Sequence, residues 1–341
     1  QRGLLAKLRK IYKKMTIAVY SPNWVGDATL ALPFIHQLKD QYPDSKIVII
    51  CKDWVESVFI NNPNINDVIS LSKKDVRGIV NTIRTGMYLR EQEFDYFYTL
   101  TDSFRSAFIM WLSDTAIRIG YKSQARSFLI SKPINKPLDI KHRADKYLKL
   151  ISGKEIDLQE KYIYLAQDEI NWAKEKMLEK GIRNPIALFP FSVSNSRTFP
   201  ENKINEWFSN SKEQYVIFGS ESDERKAEEM IANNKNISMQ SFCGKYDLRK
   251  SVALISICNY AFAADSGLGH VSSVLGIPTV SFFGAERAIV TKPIGKYNVV
   301  IDMSTRCKPC KKNICCLNAI KKSDVNYAMG SLRKDSKFEV Q

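Results

Sequence analysis

The chain has 341 residues, 44% of them hydrophobic and 26% charged, which is enough for two domains of ordinary size, each with its own core. No apolar run approaches the roughly 20 residues that a bilayer-spanning helix needs, which excludes a membrane-spanning helical protein. Lys and Arg number 51 against 36 Asp and Glu, a formal charge of +15 that favours anionic partners such as nucleic acid, nucleotide substrates or an anionic lipid surface.

The chain opens on a basic amphipathic segment, 1–14, in which Leu4, Leu5, Leu8, Ile11 and Tyr12 share one helical stripe while Arg2, Lys7, Arg9, Lys10, Lys13 and Lys14 surround it. Such a helix can lie on an anionic membrane surface. The alternatives are a helix packed on its own domain, or residues retained from a longer product. It lacks the continuous apolar core and small-residue cleavage site of a signal peptide, so a cytoplasmic protein is expected.

From there β-rich runs alternate with helical ones. Thr16–Tyr20, 46–51, 68–71, 96–100 and Ile117–Tyr121 read as strands, with helical periodicity at 28–38 and 76–89. The turn-rich stretch 131–137 reads as a loop, followed by helices near 143–151 and 167–180. Strands are then expected at Ile186–Phe189, 215–218, 237–239, Tyr260–Ala264, Thr279–Phe283 and 298–301. This alternation predicts an α/β protein of two doubly wound, parallel-sheet, Rossmann-like domains facing a cleft, spanning 15–165 and 166–341. Ligands in such sheets sit beyond the carboxyl ends of the strands.

Two strand-to-helix corners fall at such ends. Asn23-Trp24-Val25-Gly26-Asp27 follows the first strand, and Asp265-Ser266-Gly267-Leu268-Gly269-His270 follows Tyr260–Ala264. The second joins a small polar residue and glycines to a helix start, a place that binds phosphate. Asp27 reads either as a helix cap or as a carboxylate able to take a proton from a substrate hydroxyl. His270, one turn into its helix, reads as a packing histidine or a ligand contact. The loop 190–200 is rich in hydroxyls and carries Arg197, a planar fork suited to phosphate or a solvated arginine. Asp223 and Glu224 end a strand-to-helix turn and read as ribose acceptors or helix-dipole partners. Neither half has a G-x-G-x-x-G or Walker sequence. Cys51 and Cys258 fall in apolar runs and read as buried hydrophobes. Cys307, Cys310, Cys315 and Cys316 have knuckle spacing without a second well-spaced pair, so a thiol cluster on a loop competes with a structural metal site.

In combination and in order these segments resemble glycosyltransferase family 9, the ADP-heptose:lipopolysaccharide heptosyltransferases, over about 15–325. The likeness rests on Pro22–Asp27, the run 101–107, Arg118-Ile-Gly-Tyr121, Phe218-Gly219-Ser220 with Asp223-Glu224, Asp265–Val271, Gly276-Ile-Pro278, Phe283-Gly284, and Cys307-Lys-Pro-Cys310 before Cys316. It implies a GT-B fold with the acceptor on the first domain and the nucleotide sugar on the second. It also implies an inverting transfer with no metal and no cofactor beyond an ADP-sugar donor. Asp27 would be the base; Arg197, Thr198, Asp265, Ser266, Gly267 and His270 would hold the donor, with Asp223 near the ribose. Gly26, Ser103, Arg105, Arg118 and Arg143 would face a phosphorylated or carboxylated acceptor. The sequence departs from the family where it has Pro190-Phe191 in place of Pro-Gly, Arg197-Thr198-Phe199-Pro200 in place of Lys-Arg-Trp-Pro, and Asp102 in place of a frequent Asn.

The resulting expectation is heptose transfer onto a lipid-linked lipopolysaccharide core by a peripheral protein at the inner face of the cytoplasmic membrane. The alternatives are a GT-B transferase or epimerase using another nucleotide sugar, and a non-catalytic nucleotide- or nucleic-acid-binding module. Nucleic acid is the weaker partner, because aromatic residues do not interleave with the basic runs.

Overall fold

A computed structural model describes residues 14–139, 141–209, 212–304 and 316–336. The basic stretch 1–13 lies outside the described residues, as do Cys307, Cys310 and Cys315. Among the described residues, twelve strands form two all-parallel sheets of six. The first comprises β1 (Thr16–Tyr20), β2 (Lys46–Lys52), β3 (Asp67–Leu71), β4 (Tyr96–Thr99), β5 (Ile117–Tyr121) and β6 (Lys132–Ile134), in the order β3-β2-β1-β4-β5-β6. The second comprises β7 (Ile186–Phe189), β8 (Gln214–Ile217), β9 (Ser238–Ser241), β10 (Tyr260–Ala264), β11 (Thr279–Phe283) and β12 (Asn298–Asp302), in the order β12-β11-β10-β7-β8-β9. Both orders are doubly wound, with switch points between β1 and β4 and between β7 and β10, so each sheet leaves a crevice beyond those strand ends.

The inner strands are buried on both faces because helices cover both, as parallel crossovers require. In the second sheet alternate residues feed two separate cores. Ile186 and Leu188 join Trp207, Phe262 and Phe282 on one face, while Ala187 and Phe189 join Val216, Phe218 and Ala263 on the other.

The expected helix at 28–38 is two helices, Val25–Leu30 and Leu32–Gln41, parted at Ala31. Pro33 explains the break, since it offers no N–H to a carbonyl one turn back. The expected loop at 131–137 contains β6, an edge strand that pairs only with β5, so Pro133 can enter it without breaking a ladder on its other side.

The chain forms two compact units that differ from the expected domains in their bounds. One takes in the chain up to Asn23, Ala31–Ile140 and Ala144–Ile156; the other takes in Trp24–Leu30, Lys141–Arg143 and the chain from Asp157. Asp27, expected in the first domain, therefore belongs to the second unit.

Candidate active site

In the second unit the chain leaves β7 and β10 at the switch point, and an open cavity of about 590 Å³ lies there. Asp27, Arg143, Arg197, Ser266, Gly267 and His270 are among the residues lining it. Ser266 caps the helix Gly267–Val274, its hydroxyl accepting from the Gly269 amide at 3.4 Å. The Gly267 and Leu268 amides of the first turn have no carbonyl one turn back, and the helix dipole leaves this end positive. The helix start presses onto β10, since a Cβ at Gly269 would come within 2.6 Å of Ala263 Cβ.

The helix Val25–Leu30 meets the same end. A Cβ at Gly26 would lie 3.2 Å from His270 Cδ2, and one at Gly267 would lie 3.3 Å from Val25 Cβ, so glycines at both positions let the two helix starts abut. Asp27 is not the helix cap. Its carboxylate sits in the first turn and accepts from Arg143 Nη1, which fixes its direction at the cavity wall. Arg143, expected among the acceptor-facing residues, lines the cavity and is also the ion-pair partner of the candidate base.

Charge in this cavity is tightly paired. Asp265 is buried and accepts from Arg197 Nη1 at 3.2 Å, while its carbonyl accepts from the Ser192 hydroxyl at 2.8 Å. Burial raises the Asp265 pKa, and Arg197 only partly offsets that. His270 is buried, and the loss of hydration pushes its pKa down to about 4 despite the opposing charge of Asp27, so the ring is neutral at pH 7. Its Nδ1 is buried with no hydrogen-bond partner. Asp223 lines the cavity while accepting from the Ser220 amide at 3.0 Å and from the Ser220 hydroxyl. Thr198 is not among the lining residues; its hydroxyl accepts from the Ser192 amide at 3.2 Å and closes the 192–198 loop.

The first unit has a cavity of its own, about 680 Å³, beyond the carboxyl ends of β1, β2 and β4. Ser103 and Arg105 line it, together with three cations that the sequence reading did not single out, Lys52, Lys73 and Arg77. Lys52 ends β2, is buried, and its Nζ has no hydrogen-bond partner. Burial and the neighbouring Arg105 lower its pKa to about 8. A cation closing the apolar strand Lys46–Lys52 at its carboxyl end was the available signal.

Arg118 lines neither cavity; its guanidinium donates to the Leu129 and Thr115 carbonyls at 2.9 and 2.5 Å, a scaffold role. Arg126, also missed, is fully buried and donates to the Tyr121 carbonyl at 2.9 Å and the Ser103 carbonyl at 3.0 Å, fixing the start of the helix Phe104–Leu112. Asp102 is paired with Lys146 at 2.7 Å and Lys136 at 2.9 Å; burial pushes its pKa up, but these two cations outweigh it and hold the carboxyl low. Cys51 and Cys258 are buried thiols, as read from the sequence, and Cys316 is half-buried.

Residues 82–321 match the sequence family described as Glycosyltransferase family 9 (heptosyltransferase). Lipooligosaccharide heptosyltransferase 2 of Haemophilus ducreyi is 26% identical over 308 residues, covering 84% of this chain and 88% of that protein. Lipopolysaccharide heptosyltransferase 2 of Escherichia coli is 25% identical over 319 residues, covering 85% and 89%. In fold, the chain resembles the solved E. coli ADP-heptose lps heptosyltransferase II with a TM-score of 0.79 at 23% identity, over 95% of this chain and all of that one. It resembles a family 9 glycosyl transferase from Veillonella parvula with a TM-score of 0.81 at 20% identity, over 93% and 97%. Two doubly wound units, an amide-rich helix start at the switch point and the family match agree, and the chain belongs to glycosyltransferase family 9, the heptosyltransferase family.

Proposed function

We propose that the protein transfers heptose from an ADP-linked donor to a lipopolysaccharide-core acceptor, with inversion at the anomeric carbon and no metal in the step. The observation that carries this reading is one cavity that presents a directed carboxylate, Asp27, alongside the amide-rich helix start at Ser266 and Gly267. The names of the relatives support the choice of donor and acceptor.

In this reading the acceptor hydroxyl gives its proton to Asp27 as its oxygen bonds to the anomeric carbon. The bond from that carbon to the diphosphate oxygen breaks, and ADP departs with the electron pair. Arg143 keeps the Asp27 carboxylate aimed, while the Gly267 and Leu268 amides and Arg197 stabilise the charge growing on the diphosphate. Neutral His270 packs against Gly26 at the cavity wall, and Asp223 faces the ribose. Ser103, Arg105 and Lys52 suit the anionic groups of a lipid-linked core, and in this reading the protein works at the inner face of the cytoplasmic membrane.

The test offers purified protein a panel of nucleotide sugars and truncated cores, with products read by mass spectrometry. Asp27→Ala is expected to bind ADP as the parent does and to lose turnover by about 100- to 10,000-fold. Unchanged turnover removes Asp27 from the step, and heat protection by UDP at concentrations where ADP gives none removes the ADP-linked donor.

A further inference from the structure

The helices Gly78–Arg90 and Phe104–Leu112 of the first unit pack closely, since a Cβ at Gly86 would lie 2.3 Å from Leu112 Cβ. Their inner sides are buried through Thr82, Thr85 and Leu89 on one and Ala107, Ile109 and Met110 on the other. The outer sides are apolar as well. Ile79 is 69% exposed, Val80 58%, Ile83 39% and Met87 45%, and the spacing of 79, 83 and 87 sets three of them in one stripe. On the second helix Phe104, Phe108 and Trp111 form a stacked row with ring centroids 6.3 and 5.9 Å apart. Phe128, 74% exposed, extends the row from the Phe104 end at 6.3 Å. Large apolar side chains gathered this way on a surface mark an interaction site.

The surroundings are cationic. Between Thr115 and Leu138 the sequence has no acidic residue, and of its five cations Lys122 and Lys132 are exposed, while Arg118, Arg126 and Lys136 are engaged within the fold. Arg77, Arg84 and Arg105 are exposed on or beside the two helices. Aliphatic side chains that can enter the acyl boundary, aromatic rings suited to headgroup level and a surplus of cations for lipid phosphates are the chemistry of interfacial binding to an anionic bilayer. A further feature adds to this. Arg77 and Gly78 at the start of one helix, and Phe104 and Arg105 at the start of the other, also line the cationic cavity that holds Lys52. Apolar face and anion-accepting cavity are therefore continuous, as an anionic amphiphile held in a bilayer would require.

We propose that the outer face of these two helices, extended by Phe128, docks the protein on the headgroup region of an anionic bilayer. The proposal rests on the transferase reading only in that a lipid-linked acceptor gives such docking a use; the surface is argued from its own residues. The test floats the full-length protein with vesicles of phosphatidylethanolamine and phosphatidylglycerol, and with vesicles of phosphatidylcholine alone. The parent is expected to float with the anionic vesicles and weakly with the neutral ones. Ile79→Glu/Phe128→Glu, placed at two of the most exposed positions, should cut partition at least about tenfold. Ile79→Leu/Phe128→Trp should keep it, and transfer to a deacylated, water-soluble acceptor should be unchanged in both variants. Equal flotation of the glutamate variant and the parent overturns the proposal. So does a parent that ignores vesicles but self-associates, with the glutamate variant monomeric, which would assign the face to a second copy of the chain. A parent that floats but fails to transfer heptose leaves the docking surface standing and removes the transferase reading instead.

Discussion

Replacing Arg197 with Ala strips the buried Asp265 carboxylate of the guanidinium that donates to it at 3.2 Å. At that separation the gross attraction is about 5 kcal/mol for an effective dielectric constant near 20. The loss of stability is smaller, because the carboxylate can escape by taking up a proton. Protonating a carboxyl of ordinary pKa 3.8 at pH 7 costs about 4 kcal/mol, which sets a ceiling. Part of that cost is already carried in the parent, whose Asp265 pKa is raised by burial. A destabilisation of about 2 kcal/mol is therefore expected at pH 7. Because the folded-state pKa is raised, the folded chain takes up this proton before the unfolded chain does as pH falls, so the deficit shrinks between pH 7 and pH 5. Urea unfolding at the two pH values measures it, and Arg197→Ala/Asp265→Asn should regain most of the loss while still binding ADP weakly. An Arg197→Ala protein as stable as its parent at pH 7, or one whose deficit is the same at pH 5, refutes the reasoning.

Lys52→Met removes a buried cation without a partner and should raise stability by about 1–3 kcal/mol at neutral pH while weakening capture of anionic acceptor fragments. In the parent the folded-state pKa of about 8 lies below the unfolded value of 10.5, so parent stability should rise as pH climbs through that window while the Met variant stays flat; matching pH profiles in chemical denaturation would contradict this. Gly269→Ala puts a methyl 2.6 Å from Ala263 Cβ and 3.3 Å from the Ala264 carbonyl oxygen, and should cost about 1–3 kcal/mol together with ADP affinity, partly restored by Ala263→Gly. Unchanged thermal melting and calorimetric ADP binding would count against the tight helix start.

The architecture was legible because parallel strands covered on both faces are short apolar runs, and those at Thr16–Tyr20 and Tyr260–Ala264 end in corners whose glycines and small polar residues announce a helix start. What local pattern cannot carry is pairing across long sequence distances. Arg143 stands 116 residues from Asp27, and nothing in either segment marks their contact. The same holds for Arg126, whose full burial depends on carbonyls of Tyr121 and Ser103 brought together by the sheet. β6 was hidden by its own composition, three residues with a central proline that only an edge position tolerates. Lys52 was readable in principle, as a charge at the carboxyl end of an otherwise apolar strand.

The path of the chain constrains how the protein can be recombined. A hybrid joined at residue 156 would take Trp24–Leu30 and Lys141–Arg143 from one parent and the body of the unit they pack into from the other. The ion pair between Asp27 and Arg143 would survive such a swap, whereas the fit of Gly26 to the His270 ring and of Gly267 to Val25 would then join surfaces of different ancestry. Working chimeras within the family should therefore inherit these two short segments with the carboxyl-terminal parent, so that the exchangeable module is discontinuous in sequence.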